Sequence, residues 1–276
     1  MVETLQLGHS PDPDDAFMFY ALAADKIETD GLKFEHILKD IESLNQWALK
    51  GQLEITAVSV HAYAYLADRY AVLRSGASVG DGYGPIVVAR EEMTEKGLRD
   101  KCIGVPGKLT SAFLAMQLYL DKFEPVFIAF DHLMDAVRTG AVDAALLIHE
   151  GQLTHGLHGL KKIVDLGEWW KKETGLPLPL GINVIRKDLG EDRMRKISSI
   201  LSGSIKWGLR HRGDALQYAL QFGRGISEKV GDQFVEMYVN DFTLDLGERG
   251  RKGIEELYRR AAERKLIPQI PAIQFI

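Results

Sequence analysis

The sequence predicts an α/β protein of two similar lobes that face each other across a central cleft. Three observations carry that expectation. Apolar stretches of strand and helix length alternate from the N-terminus onward. The alternation breaks at a glycine-rich segment and restarts with the same order of elements. A second Pro/Gly segment near residue 180 leads into one more β-rich run, after which the chain turns helical to its end.

The elements follow in order. "TLQLGHS" reads as a short strand, and "DDAFMFYALAADKI" as a helix with apolar residues three and four apart. "LKFEHILKD" alternates as a strand does. "IESLNQWALKG" is a helix stopped by Gly51, a residue suited to the left-handed conformation that ends helices. "LEITAVS" is a strand and "VHAYAYLADRY" a helix. This βαβαβ order implies a parallel sheet with right-handed crossovers. "RSGASVGDGYGPIVVAREE", glycine-rich and then strongly β, reads as a crossing between lobes.

The pattern then repeats. "KCIGVPG" is a strand, "LTSAFLAMQLYLDKF" a helix and "EPVFIAF" a strand; "DHLMDAVRTG" is a helix stopped at Gly140, and "AVDAALLIHE" a strand. Setting "LGHSPDPDDAFM" over "IGVPGKLTSAFL" places Gly8 on Gly104 and Ala16-Phe17 on Ala112-Phe113. "GLPLPLGINVIRKDLG" reads as a second crossing, and three helical stretches close the chain. The expected division is residues 1–88 for the first lobe, 89–186 for the second and 187–276 for a mainly helical return to the first. Two α/β lobes joined by two strands resemble the type II periplasmic-binding-protein fold. Hinge bending that closes the lobes on a ligand is expected near Gly84–Arg90 and Pro179–Arg186.

Length and charge narrow the function classes. A chain of 276 residues can bury a substantial core, and with 46% hydrophobic and 26% charged residues it is globular rather than disordered. A net charge of −5 provides no basic field for nucleic acid or acidic lipid. No apolar run approaches the ~20 residues that cross a bilayer. The opening "MVETLQLGHS" lacks the basic and apolar regions of an export signal, so a cytoplasmic protein is expected. The single cysteine, Cys102, excludes an internal disulfide and a cysteine-based zinc site, and its apolar strand suggests an inert core thiol. "HEGQL" lacks the second histidine of the zinc motif, "DPDD" lacks the alternation of a calcium loop, and no metal or cofactor is expected.

Candidate site residues come from a rule of open parallel sheets, which bind ligands beyond the carboxyl ends of strands, beside helix N-termini. Four places meet it: the loop Ser10–Asp15, the strand end Ala57, Val58 and Ser59, the helix start Thr110 and Ser111, and the strand end at His149. Thr110 and Ser111 combine hydroxyls with a helix N-terminus and suit a carboxylate or phosphate, or act as a plain N-cap. Asp14 stands at the matching point of the first lobe. It reads as an N-cap, or as an acceptor for substrate hydroxyls. His149 suits proton transfer near neutral pH. His61 reads as either a cleft residue or a helix-start residue, and Trp169 and Trp170 as either a hinge-side aromatic wall or surface packing.

At these residues a family resemblance is visible. "SPDPDDAFMFYAL", "AVSVHAYAYLADRYAVLRSG", "GPIVVAR", "VPGKLTSAF", "LLIHEGQLT" and "VDLGEWWKKETGLPLPLG" resemble the 1,4-dihydroxy-6-naphthoate synthases of the futalosine route to menaquinone. The resemblance implies a cofactor-free lyase that converts cyclic dehypoxanthinyl futalosine to 1,4-dihydroxy-6-naphthoate. It implies His149 as the proton acceptor, with Ala57–Ser59 and Thr110-Ser111 in contact with a small substrate bearing a carboxylate. Many members carry Cys, Asn and Thr where this chain has Asp12, Asp14 and Ala16, and a lysine where it has Ala57. The other reading from sequence is a non-catalytic binding protein for a small carboxylate in the same fold.

Overall fold

The computed structural model describes residues 3–223 and 225–276; Met1 and Val2 of the expected first lobe, and Arg224 of the returning segment, lie outside the described residues. Eleven strands are described: β1 Glu3–His9, β2 Leu32–Leu38, β3 Ile55–Ser59, β4 Tyr70–Val72, β5 Ser78–Gly80, β6 Ile86–Ala89, β7 Cys102–Val105, β8 Glu124–Phe127, β9 Ala144–Leu147, β10 Lys161–Asp165 and β11 Leu178–Arg186. They form two sheets. The first runs β2-β1-β3-β11-β4, with β5 also paired to β11; the second runs β10-β6-β9-β7-β8.

The two sheets have the same plan. In the first, β1 is central and parallel to β2 and β3, and β11 lies antiparallel on β3. In the second, β7 is central and parallel to β8 and β9, and β6 lies antiparallel on β9. Each sheet therefore takes its antiparallel strand from a segment that follows a crossing. Gly8 and Gly104 occupy equivalent places. A Cβ on Gly8 would stand 2.4 Å from Leu53 Cδ1, and one on Gly104 2.9 Å from Leu133 Cδ2. At both points glycine lets the apolar layer over the central strand approach closely.

Helix Pro13–Ala23 follows β1, and its apolar residues Phe17, Met18 and Phe19 are fully buried. Helices Glu191–Arg210, Arg212–Leu220 and Glu228–Tyr238 pack on it, and helix Gly247–Glu263 packs on β11. One apolar cluster runs from Val58 and Tyr63 beside β3 to Val105, Leu114 and Trp170 beside the second sheet. The floor between the sheets is thus continuous core.

Several expectations need correction. The helix expected over "VHAYAYLADRY" is helical only over Val60–Tyr63, because Tyr70 belongs to β4 and pairs with Arg186 of β11. β10 and the helices Leu166–Thr174 and Arg212–Leu220 were not marked by the sequence pattern. Cys102 is half-buried at the start of β7 rather than in the core, and its Sγ donates to Glu124 Oε2 at 3.2 Å. Pairing puts all of β6 in the second sheet and all of β11 in the first, so the segments that pass between sheets precede these strands. The passing segments touch. The Leu166 N–H donates to the Pro85 carbonyl at 2.9 Å, and a Cβ on Gly167 would stand 1.9 Å from the Tyr83 carbonyl oxygen.

Candidate active site

The strand ends of the two sheets face one cleft, whose cavity measures about 110 Å³. Asp14, Ala57, Ser59, Thr110, Ser111 and His149 all line it, joined by Ser10, Asp12, Asp15, Gln152, Phe234 and Tyr238 among others. Val58 is not with them. Side chains alternate along a strand, so Val58 points away from Ala57 and Ser59 and is fully buried in the core.

The loop after β1 explains its density of prolines and acids. Pro13 occupies the first turn of helix Pro13–Ala23, where its fixed φ suits the start of a helix. The N-cap is Asp12 rather than Asp14, with extended backbone and no side-chain capping bond. Asp14 lies in the first turn. All three carboxyls are buried, with Asp12 at 1%, Asp14 at 9% and Asp15 at 7% exposure. Asp15 Oδ2 accepts the Ser10 N–H at 2.7 Å, yet burial raises this carboxyl to about 6, and the Asp12 charge adds to the rise. Asp14 is held well above the carboxylate range, first by burial and then by the Asp15 and Asp12 charges, with His149 opposing. Asp12 instead meets His149, its Oδ2 2.8 Å from the imidazole Nδ1.

His149 does not end its strand; β9 stops at Leu147, and His149 follows in the turn with φ +63°. Left-handed backbone is uncommon outside glycine and clusters at functional sites, at a cost on the order of 1 kcal/mol. The ring packs edge-on against Phe130 with centroids 4.4 Å apart. The next helical turn, Gly151–Thr154, brings Gln152 to the cleft, where its Oε1 accepts the Tyr238 hydroxyl at 2.8 Å.

The hydroxyls of the helix start at residue 110 are already engaged. Thr110 Oγ1 accepts from Phe113 N at 3.2 Å and donates to the Gly107 carbonyl at 3.0 Å, which is the N-cap role. Ser111 Oγ donates to the Leu180 carbonyl at 2.6 Å and accepts the His61 N–H at 3.1 Å, tying the start of helix Ser111–Tyr119 to β11 and to the first sheet's side of the cleft. His61 is buried in the helix start, its Nδ1 3.3 Å from the Thr110 carbonyl, and burial lowers it to about 4. Ser59 is clamped from behind. Its N–H donates to Asn45 Oδ1 at 2.8 Å, and its Oγ accepts from Asn45 Nδ2 at 3.0 Å. Trp170 is fully buried, with its Nε1–H on the Pro177 carbonyl, and Trp169 packs on Tyr119, so neither walls the cleft.

Sequence reasoning placed Asp12 in a cleft-facing loop without giving it a role of its own, and passed over Asn45, Gln152 and Tyr238. For Asp12 a signal existed: it directly precedes a proline at a helix start, the usual N-cap arrangement. Among the described residues no group of three or more His, Cys, Asp or Glu is placed to hold a metal ion. No described helix is long and apolar enough to cross a membrane.

Comparison with known proteins agrees with this architecture. A 1,4-dihydroxy-6-naphthoate synthase of Thermus thermophilus is 41% identical over the full length of both chains. A synthase of the same name from Streptomyces coelicolor is 34% identical, over 97% of this chain and 96% of its own. A structural-genomics protein from Archaeoglobus fulgidus superposes with a TM-score of 0.92 at 44% identity, over 96% of this chain and 98% of that one. The alkanesulfonate-binding protein of Xanthomonas axonopodis superposes with a TM-score of 0.76 at 14% identity, over 99% and 98%, a likeness of fold alone and one that makes this a two-lobed periplasmic-binding-protein-like chain. The model of a family described as menaquinone biosynthesis matches residues 5–263, and the chain belongs to that family.

Proposed function

We propose that this chain is a 1,4-dihydroxy-6-naphthoate synthase, a carbon–carbon lyase acting on cyclic dehypoxanthinyl futalosine, with His149 as general base. One observation carries the reading: in a chain alike over its full length to two synthases of that name, the imidazole of His149 lines the cleft together with the carboxyls of Asp12, Asp14 and Asp15. In this reading His149 takes a hydroxyl proton of the ribose-derived ring, the oxygen electrons form a carbonyl as the carbon–carbon bond breaks, and the released electrons drive aromatisation.

The cleft supports binding of an unsymmetrical substrate. Helix Ser111–Tyr119 opens on the cleft, and the positive end of its dipole suits the substrate carboxylate. Thr110 and Ser111 serve it by holding that helix start in place, since their hydroxyls have partners already. Asp14 and Ser59 on the facing wall meet substrate hydroxyls. Asp14, pushed toward its neutral form, can donate as well as accept. Ala57 contributes contact only. Strands β1–β5 and β11 belong to the first lobe in this reading and strands β6–β10 to the second, with Gly84 and Gly167 at the passage between them.

Incubation of purified protein with cyclic dehypoxanthinyl futalosine should yield the naphthoate, detected by mass spectrometry. General base catalysis is worth roughly 10²–10⁴ in rate, and His149→Ala should lose about that much turnover while still binding substrate. Binding without product in the wild-type protein would identify a carboxylate receptor instead.

A further inference from the structure

We propose that Asp12 is the positioning residue of His149, so that the base is assembled from both lobes only when the cleft is closed. The inference deepens the synthase reading and rests on it for the role of His149. Four features of the site carry it. The two groups come from opposite walls, Asp12 from the loop after β1 and His149 from the turn after β9, and they meet at 2.8 Å. The Asp12 side chain is 2% exposed and that of His149 12%, so the pair is nearly withdrawn from water. Asp12 holds the N-cap position of helix Pro13–Ala23, and its carboxylate is turned to the ring. His149 keeps left-handed backbone in that place, with Phe130 edge-on to the ring.

The chemistry follows from the geometry. A carboxylate on Nδ1 fixes the tautomer with the proton on Nδ1 and leaves Nε2 as the acceptor a general base needs. When Nε2 takes a substrate proton, the neighbouring anion stabilises the imidazolium. The helix N-terminus favours the charged form of Asp12. The other titratable groups around the pair act differently. Asp15 is tied to the Ser10 N–H, Asp14 is pushed toward neutrality, the buried Tyr238 hydroxyl is paired with Gln152, and Glu150 adjoins His149 in the chain. Asp12 is the carboxylate in contact with Nδ1 of the base. Opening of the cleft would separate the two, leaving a base without its orienting anion until substrate has brought the lobes together.

The test compares Asp12→Asn with the wild type in two readouts. In protein saturated with benzoate, a substrate-like carboxylate that closes the cleft, a ¹⁵N-detected titration of His149 should show the Nδ1–H tautomer in the wild type and loss of that preference in Asp12→Asn. The imidazole pKa should also fall by about 1 unit once the anion is gone. In turnover, kcat should fall by about 10²-fold with KM little changed, and the acid limb of the kcat/KM profile should move to lower pH. Asp12→Glu should recover part of the loss, and Asp12→Asn should add little to His149→Ala if the carboxylate acts through the ring. An unchanged tautomer and pKa in a folded Asp12→Asn protein would overturn the proposal. A shifted titration together with no wild-type turnover would instead refute the synthase reading and leave the pair standing.

Discussion

Asn45→Ala tests how the first wall of the cleft is held. Asn45 lies in helix Ile41–Leu49 with no exposed surface, and both ends of its amide engage Ser59, at 2.8 and 3.0 Å. Truncation to alanine removes a donor and an acceptor together. A buried N–H left without a partner costs about 1–3 kcal/mol, and the lost hydroxyl bond about 1 kcal/mol more, so a penalty of about 2–4 kcal/mol is expected. Against a typical stability of about 5–15 kcal/mol this is a large fraction. For a chain of this size it corresponds to a Tm lower by roughly 5–15 °C. Differential scanning calorimetry measures it. Gln46→Ala serves as control, since its amide bonds Glu42 at an exposed position and should change stability by no more than about 0.5 kcal/mol. Because Ser59 faces the cleft, the same variant should raise KM in the synthase assay. A Tm within 2 °C of wild type would mean that the Ser59 N–H is satisfied without Asn45, and the clamp would have to be abandoned.

Other expectations can be checked alongside it. Gly167→Ala forces a Cβ onto the Tyr83 carbonyl, a backbone atom that cannot swing aside, and should cost about 1–3 kcal/mol in urea unfolding; Gly203→Ala, with 3.9 Å to the nearest atom in a long helix, should stabilise instead. Burial holds His9 down to about 3 and His61 to about 4, so the unfolded chain binds protons near pH 6.5 that the folded one refuses, and stability is lost as pH falls from 6.5 through 4. Asp15, raised to about 6, works with the opposite sign, keeping its proton when folded between its ordinary value and 6; Asp15→Asn should therefore lose more stability than wild type between pH 7 and 5. Small-angle scattering should show a smaller radius of gyration when a substrate-like carboxylate binds, as the contacts Asp12–His149 and Tyr238–Gln152 close; an unchanged radius in a protein that binds would mean the cleft is shut beforehand.

What could be read from the sequence is what depends on neighbours along the chain. Strand and helix order followed from apolar periodicity, and the two-fold plan from the restart of that order with Gly8 over Gly104. The rule of strand ends found most of the cleft-lining positions because it too is local: a strand stops, a helix starts, and the turn between them faces the ligand. It misled where a local feature has two uses. Thr110 has the hydroxyl and helix start of an anion site, yet its hydroxyl is used up in capping. Asp14 has the look of a cap, yet the cap is two residues earlier, at Asp12.

The pairings that set the chemistry lie between residues far apart in sequence. Asp12 with His149, Tyr238 with Gln152 and Ser111 with His61 are each decided by how the two sheets meet across the core. No periodicity encodes that meeting. The three acids of "SPDPDD" show the consequence most clearly, since identical side chains within four residues receive different tasks from their surroundings. Asp15 receives a backbone N–H and shapes the loop; Asp14 receives burial and two like charges and is driven toward its neutral form; Asp12 receives an imidazole from the other wall. A carboxylate's role is set by what it faces rather than by its type. The density of acids at this helix mouth is therefore best understood as three separate devices placed within reach of one ring.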